Sequence, residues 1–385
     1  MTDLKRLYNT DRVRAAAKRT LPAVLFDYVD GDAEDGRTRR ANRDAFGRWN
    51  LRQQAPTTAW ADQDLSVEVL GRTLELPIIV APCGMAALMH PEGPIGASRA
   101  AAAKGTLAVL STVAGTKPAD LAAAVDDPGW FQLYAPKGRE QAEMLIEEAK
   151  NNRFSALVVT NDTAVLGRRE RDMAHGVIMP MKLGPATVAR LGLEFASKPV
   201  WVGRFLRHQI DKKRNPSTST AKGLSPLDMA ASPVTWDDLA WIREVWSGPL
   251  VLKGIVDAED ARRAVDAGAS ALVVSNHGGR QLDGAPAALD ALVDVVDAVG
   301  DDIEVLMDGG IRRGTDVLKA LSLGAKAVQI GRPWLFGLAV AGQAGVEHVL
   351  GLFELEIRNA LRLLDVTRVR DLSRANVLPA PGAGC

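Results

Sequence analysis

The sequence lacks several features that would by themselves place it in a particular class of protein. Only two cysteines, Cys83 and Cys385, occur in 385 residues. They are too few for a disulfide framework, which favours a reducing cytoplasm. Lysine plus arginine equals aspartate plus glutamate at 47 each, so no net charge draws the chain to nucleic acid. No G-x-G-x-x-G follows an early strand and no Walker A motif is present, which leaves a nicotinamide or ATP site unsupported.

Simple membrane and metal signals are also missing from the sequence. Residues 1–19 are polar and helix-like, without the apolar core of a signal peptide. No run approaches the roughly 18 apolar residues of a membrane span. No His, Asp or Glu set shows ligand spacing and no C-x-x-C occurs, so no metal is expected. A composition of 47% hydrophobic and 24% charged residues predicts an ordinary globular protein with ample material for a core.

Eight short apolar runs recur along the chain, with helix-like segments between them. Most runs are continuous rather than alternating, which is typical of parallel strands covered on both faces. This pattern predicts an α/β fold, a (β/α)8 TIM barrel with an N-terminal helical extension, formed by residues 1–385 as one domain. A doubly wound open sheet is the alternative, because strand count does not prove closure. The runs are "IIVAPCG" (78–84), "LAVLSTV" (107–113), "WFQLYA" (130–135), "ALVVTND" (156–162), "PLVLKGI" (249–255), "ALVVSNHG" (271–278), "EVLMDGG" (304–310) and "AVQIGRP" (327–333).

A long segment separates the fourth and fifth runs. Residues 163–248 are far more than one helix needs, and a mobile lid or insertion is predicted over 173–233. Within it, residues 198–223 carry seven basic residues against Asp211 alone. One interpretation is a solvated lid, and the other is a basic amphipathic contact with a membrane surface. The apolar residues that would aid such a contact are Val200, Trp201, Phe205 and Leu206.

The last two runs predict an anion site. "DGGIRRG" (308–314) and "IGRP" (330–333) place glycines and arginines after strands 7 and 8, the standard phosphate site of a TIM barrel. Glycines let backbone N–H groups approach an anion, and Arg312 or Arg332 adds positive charge. We therefore expect a ligand that carries a phosphate.

The segment "SNHGGRQLDG" (275–284) combines a base with a fixed cation. The imidazole of His277 can take up a proton near neutral pH, and Arg280 can hold a carboxylate through two parallel bonds. Asp162, which ends a different strand, could orient the imidazole. Arg169 could form a second carboxylate clamp or be a surface charge. Lys253 would favour a cofactor that becomes negative during turnover, or form a salt bridge at the edge of the core.

Taken together, these motifs resemble the FMN-dependent (S)-2-hydroxy acid oxidase and dehydrogenase family, which includes glycolate oxidase, L-lactate dehydrogenases and (S)-mandelate dehydrogenase. The resemblance runs from "LPAVLFDYVDGDAED" (21–35) to "DLSRANVLP" (371–379). It implies an FMN cofactor, oxidation of an (S)-2-hydroxy acid to the 2-oxo acid, and a homo-oligomer, often a tetramer. Cytoplasmic location is expected, with peripheral attachment to the inner face of the membrane if 198–223 binds lipid.

The resemblance also implies a role for individual residues. His277 is the base at the substrate α-carbon and Asp162 is its partner. Arg280 and Arg169 hold the carboxylate with help from Tyr28, and Tyr134 hydrogen-bonds near the hydroxyl or keto oxygen. The implied cofactor-binding residues are Pro82, Cys83, Gly84, Ser111, Gln132, Thr160, Lys253, Ser275, Asp308, Gly310, Arg312, Gly331 and Arg332.

Two positions bear on the substrate and the electron acceptor. Gly84 stands where glycolate oxidase-like members carry alanine and mandelate dehydrogenase-like members carry glycine. It favours a dehydrogenase that passes electrons to a quinone or another carrier. Val113 stands where glycolate oxidase carries tryptophan. The smaller side chain opens the pocket and makes glycolate less favoured, so L-lactate-type and (S)-mandelate-type substrates remain. The alternatives are an oxidase that reduces O2 to H2O2, and a recruited member that oxidises a larger peptide or metabolite.

Overall fold

The computed structural model describes residues 3–58, 62–135, 139–175, 192–214 and 233–382. Its centre is a parallel sheet, and each of the eight predicted apolar runs contains one of its strands. The strands are β1 (Ile78–Val80), β2 (Val109–Ser111), β3 (Trp130–Leu133), β4 (Ala156–Thr160), β5 (Leu250–Ile255), β6 (Ala271–Val274), β7 (Glu304–Asp308) and β8 (Val328–Ile330).

The sheet closes into a barrel. Its order is β1-β8-β7-β6-β5-β4-β3-β2, and every pairing is parallel. A further parallel bridge between Val80 and Ala108 joins the two ends of this order. The TIM barrel is therefore confirmed and the doubly wound alternative is wrong. The strands are buried on both faces, which explains why their sequences are continuously apolar.

Helices surround the barrel and extend it at the N-terminus. Local sequence starts several of them: Thr235 and Asp238 form a capping box, and Asp257 accepts hydrogen bonds from the next helix's first N–H groups. The helices are α1 (Thr10–Thr20), α2 (Ala23–Asp30), α3 (Arg37–Asp44), α4 (Ala86–Met89), α5 (Gly93–Ala103), α6 (Pro118–Ala124), α7 (Arg139–Asn151), α8 (Glu170–Ala174), α9 (Pro199–Arg214), α10 (Trp236–Val245), α11 (Ala258–Asp266), α12 (Ala288–Val299), α13 (Gly314–Ser322) and α14 (Arg332–Leu364).

Short elements complete the architecture. Two antiparallel strand pairs lie outside the barrel, Val67–Val69 with Arg72–Leu74 and Trp49–Leu51 with Val377–Pro379. The second pair brings the end of the chain back to the segment that follows α3. The short 3-10 helices are Leu4–Arg6, Ala45–Arg48, Val369–Asp371 and Arg374–Asn376.

Helix α14 differs from expectation. Among the described residues it is the one helix long and apolar enough to span a membrane by length and composition. Most of its apolar window is buried in the protein, with Phe336 and Phe353 in the core, and its backbone leaves helical geometry at Ala341 and Gly342. The expectation that no segment approaches such a length is wrong here, and the apolar composition matches burial against the barrel.

The N-terminal extension packs on the loops that follow β6 and β7. Gly310 has a positive φ of 82°, and a Cβ there would lie 2.0 Å from the backbone oxygen of Asn42, so only glycine allows α3 to approach so closely. The side chains of Asn42 and Asn276 exchange hydrogen bonds of 2.7 and 2.8 Å. Because of these contacts, α2 and α3 lie beside the C-terminal ends of the strands.

The insertion after β4 is described in part. Of the predicted lid 173–233, residues 176–191 and 215–232 lie outside the described residues, and its mobility stays a prediction. Helix α9 corrects one detail of the predicted surface contact. Trp201 is buried, its ring stacks between Phe195 and Phe205, and its indole N–H donates to the Leu88 carbonyl at 3.0 Å. Trp201 therefore packs against the body of the protein.

Candidate active site

A cleft opens at the C-terminal ends of the barrel strands, where α2 forms one wall. It contains about 1280 Å³ of space unfilled by protein, including part of its open mouth. Most of the predicted site residues line it: Tyr28, Pro82, Cys83, Gly84, Val113, Tyr134, Arg169, Lys253, His277, Arg280, Asp308, Gly310, Arg312, Gly331 and Arg332. The other predicted residues do not line the cleft, and these are Ser111, Gln132, Thr160, Asp162 and Ser275.

His277 is held by a carboxylate from a neighbouring loop. Its Nδ1 lies 3.1 Å from Oδ1 of Asp162, so Nε2 is the ring nitrogen left to act on a ligand in the cleft. Burial opposes ionisation of Asp162, but the charge of His277 and its hydrogen bond outweigh burial and lower the pKa of that carboxyl. Oδ2 of Asp162 is buried and has no hydrogen-bond partner among the described residues. The pair has the arrangement of an oriented general base.

Two guanidinium groups that line the cleft, those of Arg169 and Arg280, lie close together. Arg280 donates from Nη1 to the carbonyls of Tyr28 (2.6 Å) and Gly31 (3.1 Å) and lies over the Tyr28 ring at 5.0 Å. Its Nη2 is buried and finds no partner in the part of the chain that the structure describes. Burial and the charge of Arg280 lower the pKa of Arg169 to about 10. Two cations that repel each other form a site for an anion such as a carboxylate.

Lys253 carries a buried charge on the cleft floor. Its Nζ lies 2.6 Å from Asp308 and donates to Ser275 Oγ at 2.7 Å, and Ser275 Oγ in turn donates to Asp308 at 2.7 Å. Burial opposes the charge, but Asp308 and Asp162 outweigh it and raise the pKa of Lys253. Lys253 therefore forms a salt bridge with Asp308. It also lines the cleft, so the ammonium group stays charged beside any ligand there.

A hydrogen-bonded chain crosses the ends of three neighbouring strands. Ser111 Oγ donates to Gln132 Oε1 at 2.6 Å, and Gln132 Nε2 donates to Thr160 Oγ1 at 2.9 Å. All three side chains are buried. The chain fixes the orientation of the Gln132 amide, and it lies beside the cleft without lining it.

A second cationic set, Arg312 and Arg332, also lines the cleft. Arg332 begins α14 and donates to three backbone carbonyls, those of Val29, Gly278 and Gly31, at 2.6–3.0 Å. Burial and the neighbouring arginines lower the pKa of Arg332, and lower that of Arg312 to about 10. Within the described residues, neither guanidinium forms a salt bridge with a carboxylate. Two arginines without carboxylate partners, one shortly before α13 and the other at the start of α14, fit a phosphate group.

The loop after β1 is tightly packed around Gly84. A Cβ at this glycine would lie 2.8 Å from Tyr28 Oη and 3.1 Å from Val113 Cγ2. An added methyl group would therefore displace one of these side chains. Beside it, burial raises the pKa of the Cys83 thiol to about 12, so this sulfur is neutral at physiological pH.

Several residues at the cleft were missed by sequence reasoning. Gln281 donates to the carbonyls of Asp162 (2.7 Å) and Val165 (2.8 Å), tying the loop after β4 to the loop after β6. Gln329 was identifiable as the one polar residue in the apolar run "AVQI", whereas nothing local distinguishes Gln281. Residues that line the cleft and were not predicted include Met85, Thr163 and Leu166. No group of three His, Cys, Asp or Glu side chains suited to a metal occurs among the described residues.

Known proteins resemble the chain over almost its whole length. A family model described as FMN-dependent dehydrogenase matches residues 17–379. An L-lactate oxidase from Nostoc sp. PCC 7120 is 42% identical over 378 residues, covering 97% of this chain and 98% of the relative. A pre-mycofactocin synthase from Mycobacterium tuberculosis is 41% identical over 376 residues, which cover 95% of this chain and 93% of the relative. A crystal structure of the monotopic membrane protein (S)-mandelate dehydrogenase aligns with a TM-score of 0.86 at 34% identity, covering 97% and 100%.

Proposed function

The chain belongs to the FMN-dependent dehydrogenase family, and we propose that it oxidises an (S)-2-hydroxy acid of the L-lactate or (S)-mandelate type to the 2-oxo acid. The observation that carries this proposal is the shared cleft. A carboxylate-held imidazole with two repelling arginines, Arg169 and Arg280, lines the cleft, and so does a second cationic set, Arg312 and Arg332. The first set suits a substrate with a carboxylate, and the second suits a phosphate-bearing cofactor.

FMN is the cofactor of this family, and the residues of the cleft fit it. When bound, it supplies the acceptor for the two electrons that leave the substrate carbon. Arg312 and Arg332 would hold the phosphate, and Lys253 would stabilise negative charge on the reduced ring. The remaining residues that we assign to the cofactor are Pro82, Cys83, Gly84, Ser111, Gln132, Thr160, Ser275, Asp308, Gly310 and Gly331.

His277 is the proposed base. Its Nε2 would take a proton from the substrate while Asp162, 3.1 Å from Nδ1, stabilises the imidazolium that forms. A base placed in this way typically contributes roughly 10²–10⁴ to the rate. Our hypothesis is that the proton leaves the hydroxyl as hydride leaves the α-carbon. Concerted isotope effects on C–H and in heavy water would support this order, and a substrate carbanion would overturn it.

The substrate carboxylate is assigned to the two arginines. Arg280 has the unpartnered Nη2 described above, and Arg169 gains a counter-ion when an anion enters. Tyr28 assists from the wall of the cleft. Burial and the nearby Asp162 raise the pKa of Tyr134, so this phenol stays protonated and can donate to the hydroxyl or keto oxygen. His277 and Arg280 come from the loop after β6, whereas Arg169 and Tyr134 follow β4 and β3. Because these groups come from different sides of the cleft, one enantiomer presents its α-hydrogen correctly.

We assign the electrons to a quinone or another carrier, on account of Gly84. The contacts of a Cβ with Tyr28 and Val113 indicate that alanine does not fit there without movement. The similarity to a protein named L-lactate oxidase keeps O2 as the alternative acceptor. Anaerobic reduction followed by air tests the choice, because rapid reoxidation with H2O2 release would reject the carrier.

A larger substrate is the second candidate function. It is favoured by the 41% identity to a protein named pre-mycofactocin synthase. Complete failure of simple 2-hydroxy acids to reduce the flavin would favour this candidate over the first.

The decisive experiment is anaerobic bleaching of the bound flavin. The substrates are glycolate, L-lactate, (S)-mandelate and longer (S)-2-hydroxy acids, with the (R)-enantiomers as matched controls. We expect (S)-acids alone to bleach the holoenzyme. The variant His277→Ala should stay yellow and FMN-loaded but resist bleaching. Equal bleaching of this variant would remove His277 from the mechanism.

Peripheral membrane attachment through 198–223 is supported by α9. Val200, Leu206 and Ile210 are more than half exposed on this helix, beside Arg204 and Arg207. The structural relative named as a monotopic membrane protein adds support. Replacing the three apolar residues with serine should release the enzyme from vesicles containing anionic lipid, with flavin content unchanged. Unaltered partitioning would reject the contact.

A further inference from the structure

Gln329 is a buried polar residue in an apolar strand. It lies in β8 and is 1% exposed, and its neighbours Val328 and Ile330 are buried and apolar. Its side chain lines the cleft. Neither Oε1 nor Nε2 has a hydrogen-bond partner among the described residues. A buried amide with both ends unpaired is costly, so an explanation is required for its presence.

The strand register fixes where this side chain lies. Gln329 is the Cα partner of Asp308 in β7, and paired positions on parallel strands present their side chains to the same face. Asp308 is the acceptor of Lys253 on the cleft floor. Two residues after Gln329 comes Gly331, which is followed by the cationic start of α14. Gln329 is therefore paired in register with the aspartate that binds Lys253, and it lies three residues before Arg332 in the chain.

We propose that the Gln329 carboxamide hydrogen-bonds the hydroxylated chain that joins the ring of FMN to its phosphate. The proposal rests on the FMN site of the proposed function. A carboxamide offers one acceptor oxygen and two donor hydrogens, and each chain hydroxyl both donates and accepts. The same ligand group therefore satisfies both unpaired atoms. A phosphate would pair with the N–H₂ end alone and leave the oxygen unpaired.

The test is a double-mutant cycle, in which removal of the Gln329 amide is combined with removal of single hydroxyl groups from FMN. Apoprotein carrying Gln329→Leu, which keeps the volume but removes the amide, is titrated with FMN and followed by flavin fluorescence. The same titrations use FMN analogues that each lack one chain hydroxyl. We expect Gln329→Leu to bind FMN about tenfold more weakly, as for one or two lost hydrogen bonds. For at least one deoxy analogue the variant and the wild type should bind equally.

The stability of the apoprotein gives a second readout, because Gln329→Leu should stabilise the apoprotein although it weakens FMN binding. Removing two unpaired buried atoms should raise the melting temperature of the apoprotein, while the rise caused by saturating FMN becomes smaller. The matched control is Ser322→Ala, which removes a buried hydroxyl that is unpaired within the described residues and does not line the cleft. This control should leave FMN affinity unchanged.

Three outcomes would overturn the proposal. Equal affinity of both proteins for FMN would show that the amide pairs with water or nothing. A tenfold penalty that persists with every deoxy analogue would assign the amide to the ring or the phosphate. A lower apoprotein melting temperature for both Gln329→Leu and Gln329→Met would indicate a packing role. Loss of bleaching by hydroxy acids would overturn the proposed function without changing these titrations.

Discussion

His277 occupies a backbone conformation that its residue type rarely adopts. Its φ is 57°, in the left-handed region that costs non-glycine residues free energy, of order 1–3 kcal/mol. Ser275 Oγ accepts its backbone N–H at 3.1 Å, and Asp162 holds its ring. The surroundings thus hold a strained residue with its ring at the cleft. Strain of this kind clusters at functional sites, which supports the role that we propose for His277.

Asp162→Asn tests whether the carboxylate stabilises a protonated base. The substitution keeps the shape but removes the charge 3.1 Å from the imidazole. We expect kcat for the best (S)-2-hydroxy acid to fall by roughly 10²-fold or more, because the charge stabilises the imidazolium that forms when His277 takes a proton. FMN affinity should change little, because Asp308 still pairs with Lys253. Stopped-flow reduction under argon measures this step. A rise in KM alone, with kcat preserved, would contradict the assignment.

Arg169→Lys tests the carboxylate clamp. Lysine keeps the charge but loses the planar fork, so we expect KM to rise roughly 10- to 100-fold with a smaller change in kcat. The chain offers a matched control in the adjacent Arg168, which is exposed and paired with Glu170. Arg168→Lys should leave both constants unchanged. Equal effects of the two substitutions in steady-state assays would remove Arg169 from the site.

At the scale of single residues, the sequence predicted what the strand ends carry. His277, Lys253 and Asp308 follow apolar runs, and a closed parallel barrel brings all such ends to one rim. Gln281 could not be predicted, because its role depends on two loops that meet only in the folded chain. Trp201 was misassigned because an amphipathic pattern does not show which face of a helix packs inward.

Among the elements, α2 explains how two arginines can lie near the cleft without carboxylate partners. Its C-terminal carbonyls, at Tyr28, Val29 and Gly31, accept hydrogen bonds from Arg280 and Arg332. The end of a helix carries unpaired carbonyls and partial negative charge. This compensates the arginines in part and leaves them able to bind anions. The sequence did not show this, because the contacts join residues about 250 positions or more apart.

Asp30→Asn tests whether the ion pairs of Asp30 hold α2 against the rest of the protein. Asp30 is 1% exposed and accepts from Arg14 at 2.6 and 2.7 Å and from Arg171 at 3.1 Å. Burial opposes its charge, but the hydrogen bonds from Arg14 and the charges of Arg39, Arg14 and Arg332 lower its pKa from 3.8 to about 2. A depressed carboxyl pKa stabilises the fold above the unfolded pKa, so roughly 2 kcal/mol is present at pH 7 and is lost between about pH 4 and pH 2.

The measurement is urea unfolding of the wild type and Asp30→Asn at several pH values. We expect the variant to be less stable at pH 7, and the difference between the two proteins to shrink as pH falls below about 4. The surface pair of Asp35 and Arg37 gives the control, since Asp35→Asn should change stability little at any pH. If the difference in the free energy of unfolding between the two proteins does not depend on pH, packing and not charge holds α2 in place.

Across the whole molecule, charge is balanced in number but not in position. The chain has 47 basic and 47 acidic residues, yet Arg280, Arg312 and Arg332 line one cleft, where burial and the charges of Arg280 and Arg312 lower the pKa of Arg332. The composition predicted no attraction to polyanions, and it could not show this local excess. Repulsion among these arginines means that the apoprotein is less stable than a barrel whose cations are all paired.

Inorganic phosphate should therefore stabilise the apoprotein by binding to Arg312 and Arg332 in the cleft. A ligand at ten times its Kd adds about 1.4 kcal/mol to the free energy of unfolding, visible as a rise in melting temperature. Sodium chloride at the same ionic strength should raise the melting temperature less. Chloride only screens the repulsion between the arginines, whereas phosphate binds to two arginines near helix N-termini. Arg312→Gln should abolish the difference between the salts, whereas Arg313→Gln should keep it, since Arg313 pairs with Glu356 at 2.6 Å. Equal effects of phosphate and chloride on the wild-type apoprotein would contradict the phosphate site, because an anion site of this charge must distinguish a dianion from chloride.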